Sequence, residues 1–272
     1  MFGIMPAAPR ARPLLRLPAS PAMADQALRT RSVSELVDAA FSLYRRDASS
    51  YIMVTAIASA PGLLTQLLIQ SPAFATSGIA VFGAFIGFGV SMITYALMTG
   101  VVTKMGSDVY LGGTADVAGA VRAVLPKTGT LIAVAIMRTI LYFLGMLALG
   151  VGFFYAAARW FAPESVVVLE DRNSSAAFAR CTELSDGRKM HIFRVLMLGY
   201  GIYFVMMIGI LMLAGAGGNE TAILFAQSVF NVVAYPIIGL LTMLLYYDTR
   251  IRGEGFDVEH LARALGGEPV RS

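Results

Sequence analysis

The stretch GTLIAVAIMRTILYFLGMLALGVGFFYAAARWFAPESVVVL, residues 129–169, decides how this chain folds. One helix needs roughly 20 apolar residues to cross about 30 Å of hydrocarbon, because it rises about 1.5 Å per residue. The stretch is about twice as long as one crossing requires. Residues 129–149 and 150–169 are therefore each predicted to span the membrane once.

Basic residues on both sides of this stretch indicate two crossings rather than one. Those before it are Lys104, Arg122 and Lys127, and those after it are Arg172, Arg180, Arg188, Lys189 and Arg194. Because basic residues mark the cytoplasmic ends of spans, the chain between them is predicted to cross an even number of times. The glycines of Gly150-Val151-Gly152 suit a tight reversal. A re-entrant loop in place of this hairpin satisfies the same parity, and Pro163 favours that alternative.

Four further apolar stretches are each long enough for one span. They are residues 51–70, 79–103, 192–214 and 223–247. The connector 71–78 has no charge and the connector 215–221 has only Glu220, as expected of short loops outside the cell. The predicted fold is an all-α membrane protein with about six transmembrane helices arranged as three hairpins. We expect it in the cell's inner (plasma) membrane, with both termini in the cytoplasm.

The composition agrees with this fold and excludes other classes of protein. The 272 residues are 57% hydrophobic and 14% charged, with a mean hydropathy of +0.70. These values leave too few charges to cover a soluble domain or to keep a chain disordered. A single cysteine, Cys181, excludes a disulfide-bonded secreted module. The net charge of +4 lies in short groups between apolar runs, so it indicates membrane topology rather than nucleic-acid binding.

Both ends of the chain are predicted to lie outside the membrane domain, which we place at residues 32–248. Residues 1–31 are rich in Pro, Ala and Arg and are predicted to be disordered, because prolines interrupt any signal-peptide core. Met23 is an alternative translation start. Residues 249–272 are predicted to form a cytoplasmic tail with a short helix capped by Asp257.

A short amphipathic segment precedes each predicted hairpin. The segments are residues 33–46, 114–125 and 174–185. Ser32 and Glu35 have the spacing of a capping box, which predicts that the first helix begins there. Such helices can lie at the cytoplasmic membrane surface with their basic residues beside anionic lipid headgroups. The repeated unit indicates either three parallel repeats or three unrelated amphipathic linkers.

Three stretches of the chain together resemble one protein family. They are SVSELVDAAFSLYRRD (32–47), APESVVVLEDRNSSAAFARCTELSDGRKMHIFRV (162–195) and YYDTRIRGEGFD (246–257). In them the chain resembles the glycerophosphoryl diester phosphodiesterase membrane domain family and the related YciC-like bacterial inner-membrane proteins. This resemblance implies a helical, multi-spanning membrane protein without the phosphodiesterase catalytic domain. The family-like C-terminal motif comprises Tyr246, Tyr247, Asp248, Arg250, Arg252, Glu254, Gly255, Phe256 and Asp257.

Few residues suit an enzyme, a cofactor or a metal centre. His191 and His260 have no Cys, Asp or Glu at the spacing of a metal site. The chain contains no G-x-x-x-x-G-K-[ST] phosphate-binding loop. Cys181 lies on a predicted amphipathic helix, where its alternatives are apolar packing and palmitoylation. We therefore expect no enzymatic activity, no cofactor and no metal.

Three ionisable residues at membrane depth form the candidate intramembrane polar site: Arg138, Arg159 and Glu164. A charge near the bilayer centre costs about 2.5 to 3.5 kcal/mol, so such residues are usually paired or face a wet cavity. Arg138 and Glu164 lie roughly 18 and 21 Å from the reversal at Gly150 along antiparallel helices, which allows them to meet. Arg159 lies closer to the reversal and is expected to reach another span or a lipid phosphate.

The sequence favours one function and leaves a second open. The first is a non-enzymatic component of the cell envelope that interacts with lipid or acts as a scaffold, with anionic lipid headgroups as partners. The second is a small transporter or channel with its site near Arg138, Arg159 and Glu164. Because ion-coupled transport usually needs carboxylates at depth, and Glu164 is the only evident one, the first is favoured. An intramembrane hydrolase is a distant third.

Overall fold

The structure, a computed structural model, describes residues 29–70, 80–147, 150–217 and 220–255. All regular secondary structure within these residues is helical. The predictions for residues 1–28, for the connector 71–78 and for the helix capped by Asp257 lie outside the described residues. The described helices are α1 (Val33–Arg46), α2 (Ala48–Gln70), α3 (Ala80–Tyr110), α4 (Val117–Val124), α5 (Thr128–Leu147), α6 (Val151–Arg159), α7 (Pro163–Glu170), α8 (Ser174–Ser185), α9 (Lys189–Gly215) and α10 (Glu220–Glu254), with a 3-10 turn at Leu125–Lys127 joining α4 to α5.

Within the described residues, five helical runs are long and apolar enough to cross a membrane. They are α2, α3, the continuous run of α4 and α5, α9 and α10. The shortest of them spans 21 residues, which matches the roughly 20 residues that one crossing requires. The chain is therefore a helical, multi-pass membrane protein.

The predicted span 150–169 is not one continuous helix. It consists of α6, with 9 residues, and α7, with 8 residues, separated by residues 160–162. Pro163 occupies the first turn of α7, where its missing N–H breaks no intrahelical bond. In the interior of a continuous helix the same residue would lack a backbone hydrogen bond and its ring would clash with the preceding turn, so α6 ends before it. Each piece alone is too short to cross the bilayer.

The α6–α7 segment nevertheless returns along α5. Near the reversal, where Gly150 adopts a φ of 75°, a Cβ on Gly145 would lie 2.7 Å from the backbone of Gly152, so the two helices touch. At the other end of α5, the ammonium of Lys127 donates to the carbonyl of Val168 at 3.0 Å. The segment therefore runs from one end of α5 to the other in two pieces.

The apolar faces of the amphipathic helices pack on protein. Helix α1 begins at the predicted capping box of Ser32 and Glu35, and its apolar face is buried against α9 and α10. Helix α4 packs on α3, while α8 packs on α7 and also contacts α10. The buried side chains of the three faces are Leu36, Val37, Ala40, Tyr44, Ala120, Val124, Ala177, Phe178, Cys181 and Leu184. These faces are thus occupied, rather than turned towards lipid as the sequence pattern suggested.

The buried core lies mainly at one end of the bundle, where α1 and α8 pack on α10 and α4 packs on α3; we call this the charged end. Helix α10 has 35 residues, so it is longer than the hydrocarbon is thick and its last turns provide a surface for the short helices. Its side chains from Leu240 to Tyr246 are almost all buried. At the opposite end of the spans, large apolar side chains such as Phe85 and Leu213 are exposed, as lipid contact requires.

Candidate functional site

Arg138 on α5 and Glu164 on α7 form an ion pair within the bundle. Nη1 of Arg138 lies 2.5 Å from Oε1 of Glu164, and the two side chains are 17% and 3% exposed. Glu164 stands in the first turn of α7, where the helix dipole favours a carboxylate. The structure thus brings together two of the three residues of the predicted intramembrane site.

Aromatic rings enclose the Arg138 guanidinium on other sides. Its central carbon lies 5.7 Å from the ring centre of Tyr95 and 6.0 Å from that of Tyr142. Ring faces attract a cation electrostatically, more so where water is scarce. Because Arg138 itself occupies this aromatic cage and Glu164 balances its charge, the arrangement holds α5, α7 and α3 together and leaves no uncompensated charge for a ligand.

Arg159 has different neighbours from the other two residues of the predicted site. It ends α6, donates a hydrogen bond to the Tyr155 hydroxyl at 2.9 Å, and lies 5.6 Å from the ring centre of Trp160. Among the described residues, no carboxylate forms an ion pair with it. Lys189, at the start of α9, also lies 5.7 Å from the Tyr155 ring, which places Arg159 towards the charged end rather than beside Glu164.

The family-like C-terminal motif forms a node of internal contacts at the charged end. The buried carboxylate of Asp248 accepts a hydrogen bond from the backbone N–H of Arg31 at 2.8 Å and one from Nε of Arg252 at 2.6 Å. Nε2 of His191 lies 3.0 Å from the same carboxylate. Asp248 therefore connects the segment before α1, the start of α9 and the end of α10.

A second part of the motif binds the end of α7. The Tyr246 hydroxyl donates to Glu170 at 2.8 Å, and Arg180 of α8 pairs with both Glu170 and Glu254. Burial alone would raise the pKa of the Glu170 carboxyl, but the Tyr246 hydroxyl and the Arg180 guanidinium outweigh it and hold that pKa below its ordinary value. Gly255 follows α10 with a φ of 63°; Phe256 and Asp257 of the motif lie outside the described residues.

An apolar groove of about 510 Å³ runs between α9 and α10 and is closed at the charged end by α1. Ligand pockets in proteins commonly have volumes of about 300 to 1,000 Å³. The side chains that define its walls and its end include Ile202, Met206, Val229, Val233, Val37 and Phe41. Val229 and Met206 are exposed, so the groove opens sideways, towards the lipid.

Sequence reasoning missed the groove and the role of Glu170. Helices α9 and α10 are apolar on most sides along their spans, so helical periodicity cannot separate a groove wall from a surface that faces lipid. Glu170 lies within the second family-like stretch, but nothing in its spacing indicates that α8 and α10 both reach it. The described residues contain no group of three His, Cys, Asp or Glu side chains that could hold a metal ion.

Comparisons of the chain with protein-family models, with curated proteins and with solved structures find no match in any of the three.

Proposed function

We propose that this chain is a non-enzymatic integral membrane protein that binds lipid, with an acyl chain held in the groove between α9 and α10. The groove is the observation that carries this proposal, because it lies at membrane depth, is lined almost wholly by apolar side chains and opens sideways. A groove in this position is bathed by acyl chains, so a lipid needs no separate path to enter it.

The six-span arrangement with both termini in the cytoplasm is part of this proposal. The return of α6 and α7 along α5 supports an even number of crossings, since Lys127 and Val168 meet at one end while Gly145 and Gly152 touch at the other. The basic residues around the charged end favour the cytoplasmic side of an inner membrane. The resemblance to the phosphodiesterase membrane domain family is compatible with a non-catalytic membrane domain of this kind.

A groove-filling substitution tests the proposal. Val229 lines the groove and is 62% exposed, so Val229→Trp should fill the space without crowding the core. Val205 is 72% exposed on α9 and does not line the groove, which makes Val205→Trp the matched control. Native mass spectrometry of protein purified in mild detergent should show one phospholipid retained by the wild type and by Val205→Trp and lost from Val229→Trp. Equal retention by both variants would contradict the proposal.

A transporter or channel is the second candidate, favoured by the ion pair of Arg138 and Glu164 within the spans. The aromatic cage and the balanced charge make this candidate weaker, because a substrate would have to displace contacts that the protein already makes. Uptake by vesicles containing the protein decides it. Solute flux that is abolished by Arg138→Met together with Glu164→Leu, in protein that remains folded, would favour transport over lipid binding.

A further inference from the structure

Two cations approach one exposed aromatic ring where α6 ends and α9 begins. The central guanidinium carbon of Arg159 lies 6.0 Å from the ring centre of Tyr155, and Nζ of Lys189 lies 5.7 Å from the same point. Nη1 of Arg159 also donates to the Tyr155 hydroxyl at 2.9 Å. Like charges that lie close together repel, so this arrangement favours an anion beside them.

The protein supplies little negative charge to these two cations. Arg159 has no ion pair among the described residues, and its Nε is buried without a hydrogen-bond acceptor among them. Lys189 pairs with Asp186, but the two charged atoms are 3.8 Å apart and the carboxylate is exposed. Exposed pairs of this kind contribute little, because water screens them. The charge of Arg138, in contrast, is balanced by Glu164 inside the bundle.

The two cations lie at the same level, near the membrane surface. The ring centre of Phe154 on α6 lies 5.9 Å from that of Phe193 on α9, so the two helices are neighbours here. Helix α6 runs towards the charged end and α9 starts there, which puts Arg159 and Lys189 each roughly 6 to 8 Å nearer that end than the rings. Because α9 has 27 residues, it is longer than the hydrocarbon is thick, and its first turn reaches the headgroup layer.

Aromatic and apolar side chains around the cations face the lipid. Tyr155 is exposed, as is Met190 in the first turn of α9. The ring centre of Trp160 lies 5.6 Å from the guanidinium carbon of Arg159, and its Nε1 donates to the Thr182 hydroxyl of α8 at 3.2 Å. Tryptophan and tyrosine are enriched where a membrane protein meets the headgroups, since each ring has an apolar body and a polar group. The surroundings therefore suit a lipid headgroup.

We infer that Arg159 and Lys189 bind the phosphate of an anionic phospholipid in the leaflet at the charged end. Both side chains bind phosphate through charge-assisted hydrogen bonds, and the flexible stem of lysine lets its ammonium move towards the headgroup. Two cations balance a net negative headgroup, whereas a zwitterionic headgroup brings its own ammonium to the same place. Neither cation lines the groove between α9 and α10, so this headgroup site is tested separately from the proposed acyl-chain site.

The fluorescence of Trp160, the only tryptophan in the sequence, reports on this site. The full-length protein is reconstituted in phosphatidylcholine vesicles with increasing fractions of a lipid whose brominated acyl chains quench a neighbouring tryptophan. The brominated lipid is either phosphatidylglycerol or phosphatidylcholine. Half-maximal quenching should need a mole fraction at least about five-fold lower for phosphatidylglycerol, since each cation near the surface favours anionic lipid by about that factor. Arg159→Gln with Lys189→Gln should remove this difference and leave the phosphatidylcholine curve unchanged.

The matched control is Arg45→Gln with Arg122→Gln. Both arginines are exposed and have no ion pair among the described residues, but they belong to α1 and α4. This control should keep the preference for phosphatidylglycerol, as should Arg159→Lys with Lys189→Arg. Equal quenching of the wild type by both lipids would overturn the inference. A loss of preference in the control as large as in Arg159→Gln with Lys189→Gln would show that overall charge, and not this site, selects the lipid.

Inorganic phosphate distinguishes a lipid headgroup from a soluble anion. It is added to the same vesicles, with sodium chloride at equal ionic strength as the reference. The preference for phosphatidylglycerol should be the same in both salts, because the lipid is already concentrated at the membrane surface. Suppression of the preference by phosphate but not by chloride would assign Arg159 and Lys189 to a soluble phosphate and overturn the lipid assignment.

Discussion

Nη1 of Arg138 and Oε1 of Glu164 lie 2.5 Å apart and join α5 to α7, the helix that begins after the break at residues 160–162. The break leaves α6 and α7 too short to cross the bilayer individually. The ion pair therefore fixes the broken segment to an intact neighbour at the point where its own backbone is interrupted.

Loss of either member of this pair should cost more than loss of both. Arg138→Met leaves a buried carboxylate without its cation, and Glu164→Leu leaves a buried guanidinium without its anion, so each should lower stability by about 3 to 5 kcal/mol. The double variant should recover most of that loss, because apolar side chains need no partner. A double-mutant cycle on thermal unfolding in detergent measures the coupling. Strictly additive losses would show that the two side chains do not interact.

The contact between α5 and α6 depends on a glycine. A Cβ at Gly145 would lie 2.7 Å from backbone atoms of Gly152 and Phe153, which cannot move as a flexible side chain can. Gly145→Ala should therefore destabilise the protein by about 1 to 3 kcal/mol, as overpacking typically does. Gly209→Ala is the control, since a Cβ there meets nothing within 4 Å, and it should be neutral or slightly stabilising. Equal melting temperatures for the two variants would contradict the close approach.

The thiol of Cys181 should be unreactive in the folded protein. It is fully buried on α8, and this burial raises the pKa of the thiol above its ordinary value, so little thiolate forms. A membrane-permeant maleimide should react on the order of 100-fold more slowly with Cys181 than with Ala179→Cys in a Cys181→Ala background, because only local opening exposes it. Ala179 is exposed on the same helix. Comparable rates would show that the thiol is accessible, and would reopen the possibility of palmitoylation.

The first turn of α1 should loosen in acid. Hydrogen bonds from the Ser32 backbone, from the Ser32 side chain and from Arg29 lower the pKa of Glu35 to about 2. Because the folded pKa lies below the unfolded one, the stabilisation is present above the ordinary glutamate pKa and is lost as the pH falls towards 2. The protection factors of the amides at the start of α1, which correct for the slower intrinsic exchange in acid, should fall over this range in the wild type. The Glu35→Gln variant, which does not titrate, should show no such transition at these amides, and an identical transition there would assign it to another group.

Single cysteines test the side of the membrane on which each connector lies. In a Cys181→Ala background, Gly217→Cys should react with an impermeant reagent added outside the cell, whereas Thr114→Cys should not. Both positions are exposed, and Thr114 is preferable to the adjacent Asp116 because the Asp116 side chain caps α4 through the N–H of Gly119. Reaction of Thr114→Cys from outside would contradict the six-span arrangement with cytoplasmic termini.

Features that depend on distances along one helix could be predicted from the sequence, whereas those that depend on packing between helices could not. The capping box of Ser32 and Glu35 and the meeting of Arg138 with Glu164 follow from residue spacing along helices. Only Pro163 indicates the break at residues 160–162. The mean hydropathy of residues 150–169 is that of one apolar stretch, so it cannot distinguish two short helices from a single span. The groove, and the burial of the amphipathic faces of α1 and α8, depend on how far α10 extends past the spans, which no local pattern encodes.

The hydrogen bond between Arg31 and Asp248 also constrains how the protein is made. These residues are 217 positions apart, and α10, the last described helix, provides the surface on which α1 rests. At a synthesis rate of about 5 to 20 residues per second, α1 leaves the ribosome roughly 10 to 40 s before its partner exists. During that interval the apolar face of α1 must be sheltered by the membrane surface or by a chaperone, so the interfacial position that its sequence suggests describes the nascent chain better than the finished fold.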